Sequence, residues 1–184
     1  KITAVDFGIK ENILRIMKDM GGDITVMPPS TTAKEIAALK PDGIFLSNGP
    51  GDPKVLTSAV EEVKQMMKLE IPIFGICLGH QIMSLAYDLK IEKMPFGHHG
   101  ANHPVHDLKN NTVFITSQNH NFAVANIKDR SDVVVTHKSL FDGSIQGIEH
   151  NKKPFYSIQC HPEASPGPKE FEVLFERFFE DMNA

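Results

Sequence analysis

Short apolar runs alternate with amphipathic segments through the first half of the chain, and this alternation restricts the possible folds more than any other feature. Runs typical of β-strands span 2–7, 23–28, 43–47 and 71–76. Apolar residues recur at helical spacing in the intervening segments 10–20, 32–39 and 57–70. Parallel strands need a crossover connection, usually a helix, so this order predicts a parallel sheet covered on both faces.

The second half of the chain has a different pattern. Turns, not helices, separate its β-type runs, which span 111–118, 132–139, 144–150 and 154–159. A last helical segment, 168–182, carries phenylalanines on one side, which favours core packing over a partner surface. The sequence therefore predicts one α/β domain over 1–184, with an open, mostly parallel sheet, helices on both faces and a β-rich antiparallel extension.

Composition excludes several classes of function. A net charge of −4 gives no reason to expect a nucleic-acid or anionic-membrane partner. No apolar run approaches the length that spans a bilayer. The two cysteines form no framework of spaced pairs, which favours a reducing compartment and therefore a cytoplasmic location.

One of these cysteines lies at a tight corner, in "IFGICLGHQ" (73–81). A G-x-C-x-G stretch between an apolar strand and a helix is typical of a nucleophile elbow, in which Gly75 and Gly79 relieve crowding. The helix would begin near Leu78, and its free N–H groups and dipole favour a thiolate at Cys77. The alternatives are a small buried core residue and a metal or disulfide partner.

A second candidate pair lies in "IQCHPEASPGP" (158–168). Pro162 disfavours a helical conformation at His161, and in an extended chain His161 and Glu163 face the same way. A carboxylate beside an imidazole stabilises the imidazolium, as the third member of a catalytic triad does. A surface turn is an equally open interpretation, and Cys160 is expected to point away into the core.

A glycine-rich turn, "SNGPGDP" (47–53), follows the third predicted strand. Its backbone can approach a ligand closely, and the N–H of Gly51 is positioned to join that of Leu78 as an oxyanion hole. It lacks the spacing and the lysine of a phosphate-binding loop.

With these pieces in order, the sequence resembles the class I glutamine amidotransferases, whose triad is Cys-His-Glu. The resemblance is carried by "NGPGDP", "GICLGHQ" and "HPEASPGP". Three later stretches, "FGHHGANHPV", "TSQNHNFAV" and "THKSLFDGSIQGI", are similar to the amidotransferase domains of carbamoyl-phosphate synthetase small subunits.

The resemblance implies that Cys77 attacks the side-chain amide of L-glutamine, while His161 transfers the proton and Glu163 orients His161. It implies that seven residues surround the glutamine: Gly49, Gly51, Leu78, Gln81, Asn119, Asn121 and Phe122. It also implies a partner, the large subunit of a synthetase, to which ATP and Mg²⁺ would belong. No cofactor and no metal are expected in this chain.

Two departures from the family pattern stand out. Asn121 occupies a position where the family usually has glycine, and asparagine tolerates positive φ better than other residues do. The chain begins at "KITAVDFG" and is expected to be a piece of a longer one, without the small subunit's N-terminal domain. A catalytically weak or silent binding module, an amidotransferase of another synthase and a cysteine peptidase on the same fold therefore remain alternatives.

Some residues keep a structural interpretation. The four histidines of 98–106 are expected in a structural loop or a subunit contact, because no cysteine or carboxylate accompanies them at ligand spacing. His120 and His137 are expected to be hydrogen-bonded structural residues near the site. For Lys10, an interface role and a solvated position both remain open.

Overall fold

A computed structural model describes residues 1–125, 127, 130–164, 167 and 169–184. Its helices are α1 (Glu11–Asp19), α2 (Ala33–Leu39), α3 (Thr57–Met66), α4 (Leu78–Ala86) and α5 (Val173–Asn183). Its strands are β1 (Ile2–Val5), β2 (Ile24–Met27), β3 (Gly43–Leu46), β4 (Ile73–Ile76), β5 (Ile91–Asp107), β6 (Thr112–Val124), β7 (Val133–Ser139), β8 (Ile145–His150) and β9 (Phe155–Ile158). Short 3₁₀ turns span Pro53–Val55, Met67–Leu69 and Glu170–Glu172.

Five strands form the parallel part of the sheet, in the order β2-β1-β3-β4-β9. The predicted alternation of strands and helices in the first half is confirmed. The central strands β1, β3 and β4 are buried along their whole length and almost entirely apolar, as a sheet covered on both faces requires, while the edge strand β2 is partly exposed.

Successive side chains of the central strands enter two different cores. In β3, Ile44 and Leu46 face a core built with α2, α3 and α4. Phe45 points the other way, into a core built with α1 and α5. This period of two is the direct consequence of strand geometry. Phe171, Leu174, Phe175 and Phe178 are buried in the second core, so the predicted packing role of the last helical segment is confirmed.

Four antiparallel strands extend the sheet. β8 pairs with β9, and beyond β8 the order is β6, β5 and β7. β7 also pairs with both β5 and β8, so the four strands close on themselves. The prediction of a structural loop at the four histidines is wrong, because they lie within β5. Two irregularities in its pairing with β6 interrupt the alternation that identifies a strand.

Within the part of the chain that the structure describes, no helix combines the length and the apolar character needed to cross a bilayer.

Candidate active site

The register of β4 and β9 brings the two candidate catalytic segments together. The strands run parallel with Ile76 opposite Ile158, so the residues that follow them emerge at the same edge of the sheet. The backbone N–H of Cys77 donates to the carbonyl of Ile158 at 2.9 Å. Ligand sites of open α/β sheets lie at this carboxyl edge.

Cys77 adopts the strained geometry of a nucleophile elbow. Its φ of 53° and ψ of −102° lie outside the regions that L-residues prefer. The helix α4 begins at the next residue, as predicted. A side chain at position 79 would overlap the carbonyl oxygen of Leu46, so the glycine allows α4 to lie directly against β3.

The imidazole of His161 lies beside a buried carboxylate and shares a cavity wall with Cys77. Its Nδ1 donates to Oε1 of Glu163 at 2.7 Å, and Glu163 is fully buried. Burial alone would lower the pKa of His161. The neighbouring side chains of Cys77 and Glu163 favour the protonated ring and raise that pKa from 6.5 to about 9.

The contact between His161 and Glu163 forms in a turn, so the predicted extended segment is wrong. Pro162 and Glu163 lie in a turn, closed by the N–H of Ala164 donating to the carbonyl of His161 at 3.0 Å, and not in an extended segment. The turn curls the carboxylate back onto the ring, so the predicted contact forms by a different local geometry. Ser165, Pro166 and Pro168 of the same motif lie outside the described residues.

Lys10 contributes a charge that sequence reasoning did not assign to the site. Its Nζ lies 3.2 Å from Oε1 of Glu163, the oxygen that also accepts from His161. The side chain of Asn12 donates to the backbone oxygen of Glu163 at 2.7 Å. Lys10 and Asn12 lie about 150 residues before Glu163 in the chain, so no local sequence pattern could predict these contacts.

A cavity of about 540 Å³ opens beside Cys77 and His161. Six of the residues predicted to surround glutamine line it: Gly49, Gly51, Gln81, Asn119, Asn121 and Phe122. Leu78 and Glu163 are buried and do not line it. Lys10 and Lys93 also line it and place positive charge on its wall.

Two backbone N–H groups, those of Leu78 and Gly51, are the predicted donors to an oxyanion. Leu78 is the first residue of α4, so its N–H has no partner within the helix. Gly51 lines the cavity with φ of 102°, a conformation that glycine adopts without strain. Both are expected to donate to an oxyanion.

Because the family usually has glycine at position 121, a positive φ was possible for Asn121, but the residue does not adopt one. It lies within β6 and is not among the residues with positive φ. The two ring nitrogens of His99 lie 3.0 Å from Oδ1 of Asn119 and 3.1 Å from Oδ1 of Asn121. The Asn121 side chain is therefore held toward β5.

The remaining histidines have structural partners. Burial lowers the pKa of both His120 and His137 to about 4, and each ring is hydrogen-bonded. The described residues contain no group of three or more His, Cys, Asp or Glu side chains placed to hold a metal ion. Cys160 is fully buried in the core, as predicted, and burial raises the pKa of its thiol.

A buried cysteine on a strained turn, an imidazole paired with a carboxylate and an adjacent cavity are the groups that acyl transfer through a thiol requires. The chain belongs to the class I glutamine amidotransferase family, whose model matches residues 3–181.

More specific relatives are carbamoyl phosphate synthase small chains. That of Haemophilus ducreyi is 54% identical, over 100% of this chain and 47% of its own length. That of Photorhabdus laumondii is 56% identical, over 97% of this chain and 46% of its own length. The chain thus spans about half the length of the curated relatives it matches.

Solved structures share the fold at much lower identity. A putative GMP synthase protein from Thermoplasma acidophilum has a TM-score of 0.83 and 23% identity, covering 99% of this chain and 93% of its own. A glutamine amidotransferase from Thermotoga maritima has a TM-score of 0.70 and 14% identity, covering 99% of this chain and 81% of its own. These likenesses confirm the predicted fold class.

Proposed function

We propose that this chain hydrolyses the side-chain amide of L-glutamine through a thioester at Cys77. The observation that carries the proposal is the hydrogen bond of His161 to the buried Glu163, with His161 and Cys77 both in the wall of one cavity. A pKa of about 9 keeps the imidazole protonated at neutral pH, so His161 carries the proton that the departing nitrogen needs.

In the first half-reaction, the Cys77 thiolate attacks the amide carbon and the electron pair of the C=O bond moves onto oxygen. The N–H groups of Leu78 and Gly51 stabilise that oxyanion. The intermediate collapses with cleavage of the C–N bond, and His161 gives its proton to the departing nitrogen, which leaves as ammonia.

In the second half-reaction, water attacks the thioester while His161 accepts its proton. Cleavage of the C–S bond releases glutamate and restores the thiolate and the imidazolium. Glu163 accepts the hydrogen bond of the His161 ring throughout and keeps the ring oriented.

We further propose that the ammonia is passed to a synthetase large subunit that makes carbamoyl phosphate. The relatives named carbamoyl phosphate synthase small chain support this assignment, at 54–56% identity over nearly the whole chain. ATP and Mg²⁺ would bind the large subunit, and residues 1–184 would act as the glutaminase domain without a cofactor of their own. Two unpaired cysteines suit a reducing, cytoplasmic location.

The test is release of ammonia and glutamate from glutamine, by the chain alone and with a carbamoyl phosphate synthase large subunit. Cys77→Ala is expected to abolish release in both conditions, and the partner is expected to increase it in the parent chain. Cys160→Ala is the matched control, because Cys160 is buried outside the cavity, and it should retain activity.

Unchanged glutamine hydrolysis in Cys77→Ala would refute the mechanism. A glutamine analogue that alkylates cysteine separates this function from a silent binding module. No mass addition at Cys77, even with the partner present, would favour the silent module.

A further inference from the structure

The carboxamide of Gln81 is held by two buried acceptors. Its Nε2 donates to the backbone oxygen of Phe122 and to Oε1 of Gln159, both at 3.0 Å. Gln81 lines the cavity one helical turn after Cys77, while Gln159 is fully buried behind it at the end of β9.

The orientation of this carboxamide follows from its partners. A backbone carbonyl only accepts hydrogen bonds, so the Gln81 nitrogen, and not its oxygen, must face Phe122. That carbonyl is itself fixed by the ring of His120, whose Nδ1 lies 2.8 Å away. Gln159 takes the second amide hydrogen, so both hydrogens of Gln81 are bound within the protein.

Only the carboxamide oxygen of Gln81 then remains to meet a ligand. None of the described residues donates a hydrogen bond to it. A lone acceptor in a cavity wall selects a ligand that offers a donor at that point. The scissile amide of glutamine must lie at Cys77 and His161, so the donor left for Gln81 is the α-ammonium group.

Packing alone does not account for a glutamine at position 159. Its Nε2 is buried and has no partner among the described residues. An unpaired buried donor costs about 1–3 kcal/mol, which an apolar side chain of similar volume would avoid.

We propose that Gln159 is a positioning residue that holds the Gln81 oxygen toward the cavity and so makes the site select ligands with an α-amine. This inference rests on the proposed hydrolysis of glutamine. Without Gln159, one hydrogen bond alone restrains the Gln81 carboxamide, and its oxygen is no longer confined to one direction.

The test compares glutamine with glutaramate, the same amide without the α-amino group, in the chain with its large subunit. Gln159→Met removes the acceptor at similar volume. It should raise KM for glutamine about tenfold with little change in kcat, and lower the preference for glutamine over glutaramate by a similar factor. Gln159→Glu retains an acceptor and should restore the preference.

Thr31→Val is the control. Thr31 is also buried, and its hydroxyl donates to the carbonyl of Pro28 at 2.7 Å, but it does not line the cavity. The inference is overturned if Gln159→Met keeps the parent preference, or if Thr31→Val loses the preference equally.

A second readout separates this inference from the proposed function. Chloroketone analogues of glutamine, with and without the α-amino group, report selectivity through their rates of alkylation of Cys77 without turnover. If the parent releases no ammonia, the proposed function fails, and the ratio of the two rates still decides the role of Gln159. Equal ratios in the parent and in Gln159→Met would refute that role.

Discussion

Glu163 is fully buried, and a single oxygen of its carboxylate contacts both His161 and Lys10. The two cations differ in surroundings, since His161 is buried while the Lys10 side chain is 38% exposed. Water screens the contact with Lys10 more strongly, so the His161 contact has the larger electrostatic effect. The main electrostatic effect of Glu163 is therefore to raise the pKa of His161.

Replacement of Glu163 by glutamine is expected to lower the pKa of His161 from about 9 toward 6.5. The substitution keeps the shape and removes the negative charge that favours the imidazolium. The pKa is measured by NMR titration of the His161 ring. Lys10→Met is the control and should not lower that pKa, because it removes a positive charge and leaves the Glu163 contact in place.

The same pKa predicts how stability depends on pH. Folding raises the pKa of His161 above 6.5, so its stabilising contribution is complete below pH 6.5 and is lost as the pH rises through about 9. The difference in free energy of unfolding between the parent and Glu163→Gln should therefore shrink across this range. A constant difference in denaturant titrations at pH 6 and pH 9.5 would contradict the assignment.

Asn121→Gly tests whether the departure from the family glycine matters for substrate affinity. The Asn121 side chain is exposed, and its described hydrogen bond is to His99. Since such a bond contributes about 0.5–1.5 kcal/mol, KM for glutamine should change by no more than about tenfold. A much larger decrease in KM would show that Asn121 obstructs the site in the parent chain.

At the scale of elements, the close contact of α4 with β3 sets the position of Cys77. Gly79→Ala is expected to destabilise the fold by about 3 kcal/mol or more, because the new methyl group overlaps the Leu46 carbonyl. Chemical denaturation measures the change.

Gly21→Ala is the control for Gly79→Ala. Gly21 has φ of 90° but open space around it, so only the backbone strain of about 1–2 kcal/mol should appear. Equal losses for the two variants would show that overlap with β3 is not the cause.

β5 is a strand that the sequence did not predict. Its 17 residues include Pro95, Gly97, Gly100 and Pro104, which are typical of turns, and its register against β6 shifts twice. Pairing with β6 over most of its length supplies the backbone hydrogen bonds that make it a strand. No period within 91–107 indicated that partner.

At the scale of the molecule, the aromatic core under α5 joins the last helix to the central strands. Phe175 is fully buried, with its ring centroid 5.5 Å from that of Phe74 and 6.5 Å from that of Phe45. Phe175→Ala should lower the free energy of unfolding by about 3–5 kcal/mol in denaturant titrations.

Val173→Ala is the control for Phe175→Ala. Val173 is exposed in the same helix, so its replacement should change stability by no more than about 0.5 kcal/mol. A small effect of Phe175→Ala would mean that α5 contributes little to the common core.

The sequence by itself determined the parallel half of the sheet and the corner at Cys77. These features depend on periodicity and on glycine at sharp turns, both of which are local. The sequence also put His161 and Glu163 forward as a pair, but a turn, and not the predicted extended segment, brings them into contact. Tertiary structure alone decided that Lys10 reaches Glu163, that Gln159 holds Gln81 and that β5 is a strand. Each of these contacts joins residues distant in the chain, or depends on a partner strand, and local patterns carry no information about such partners.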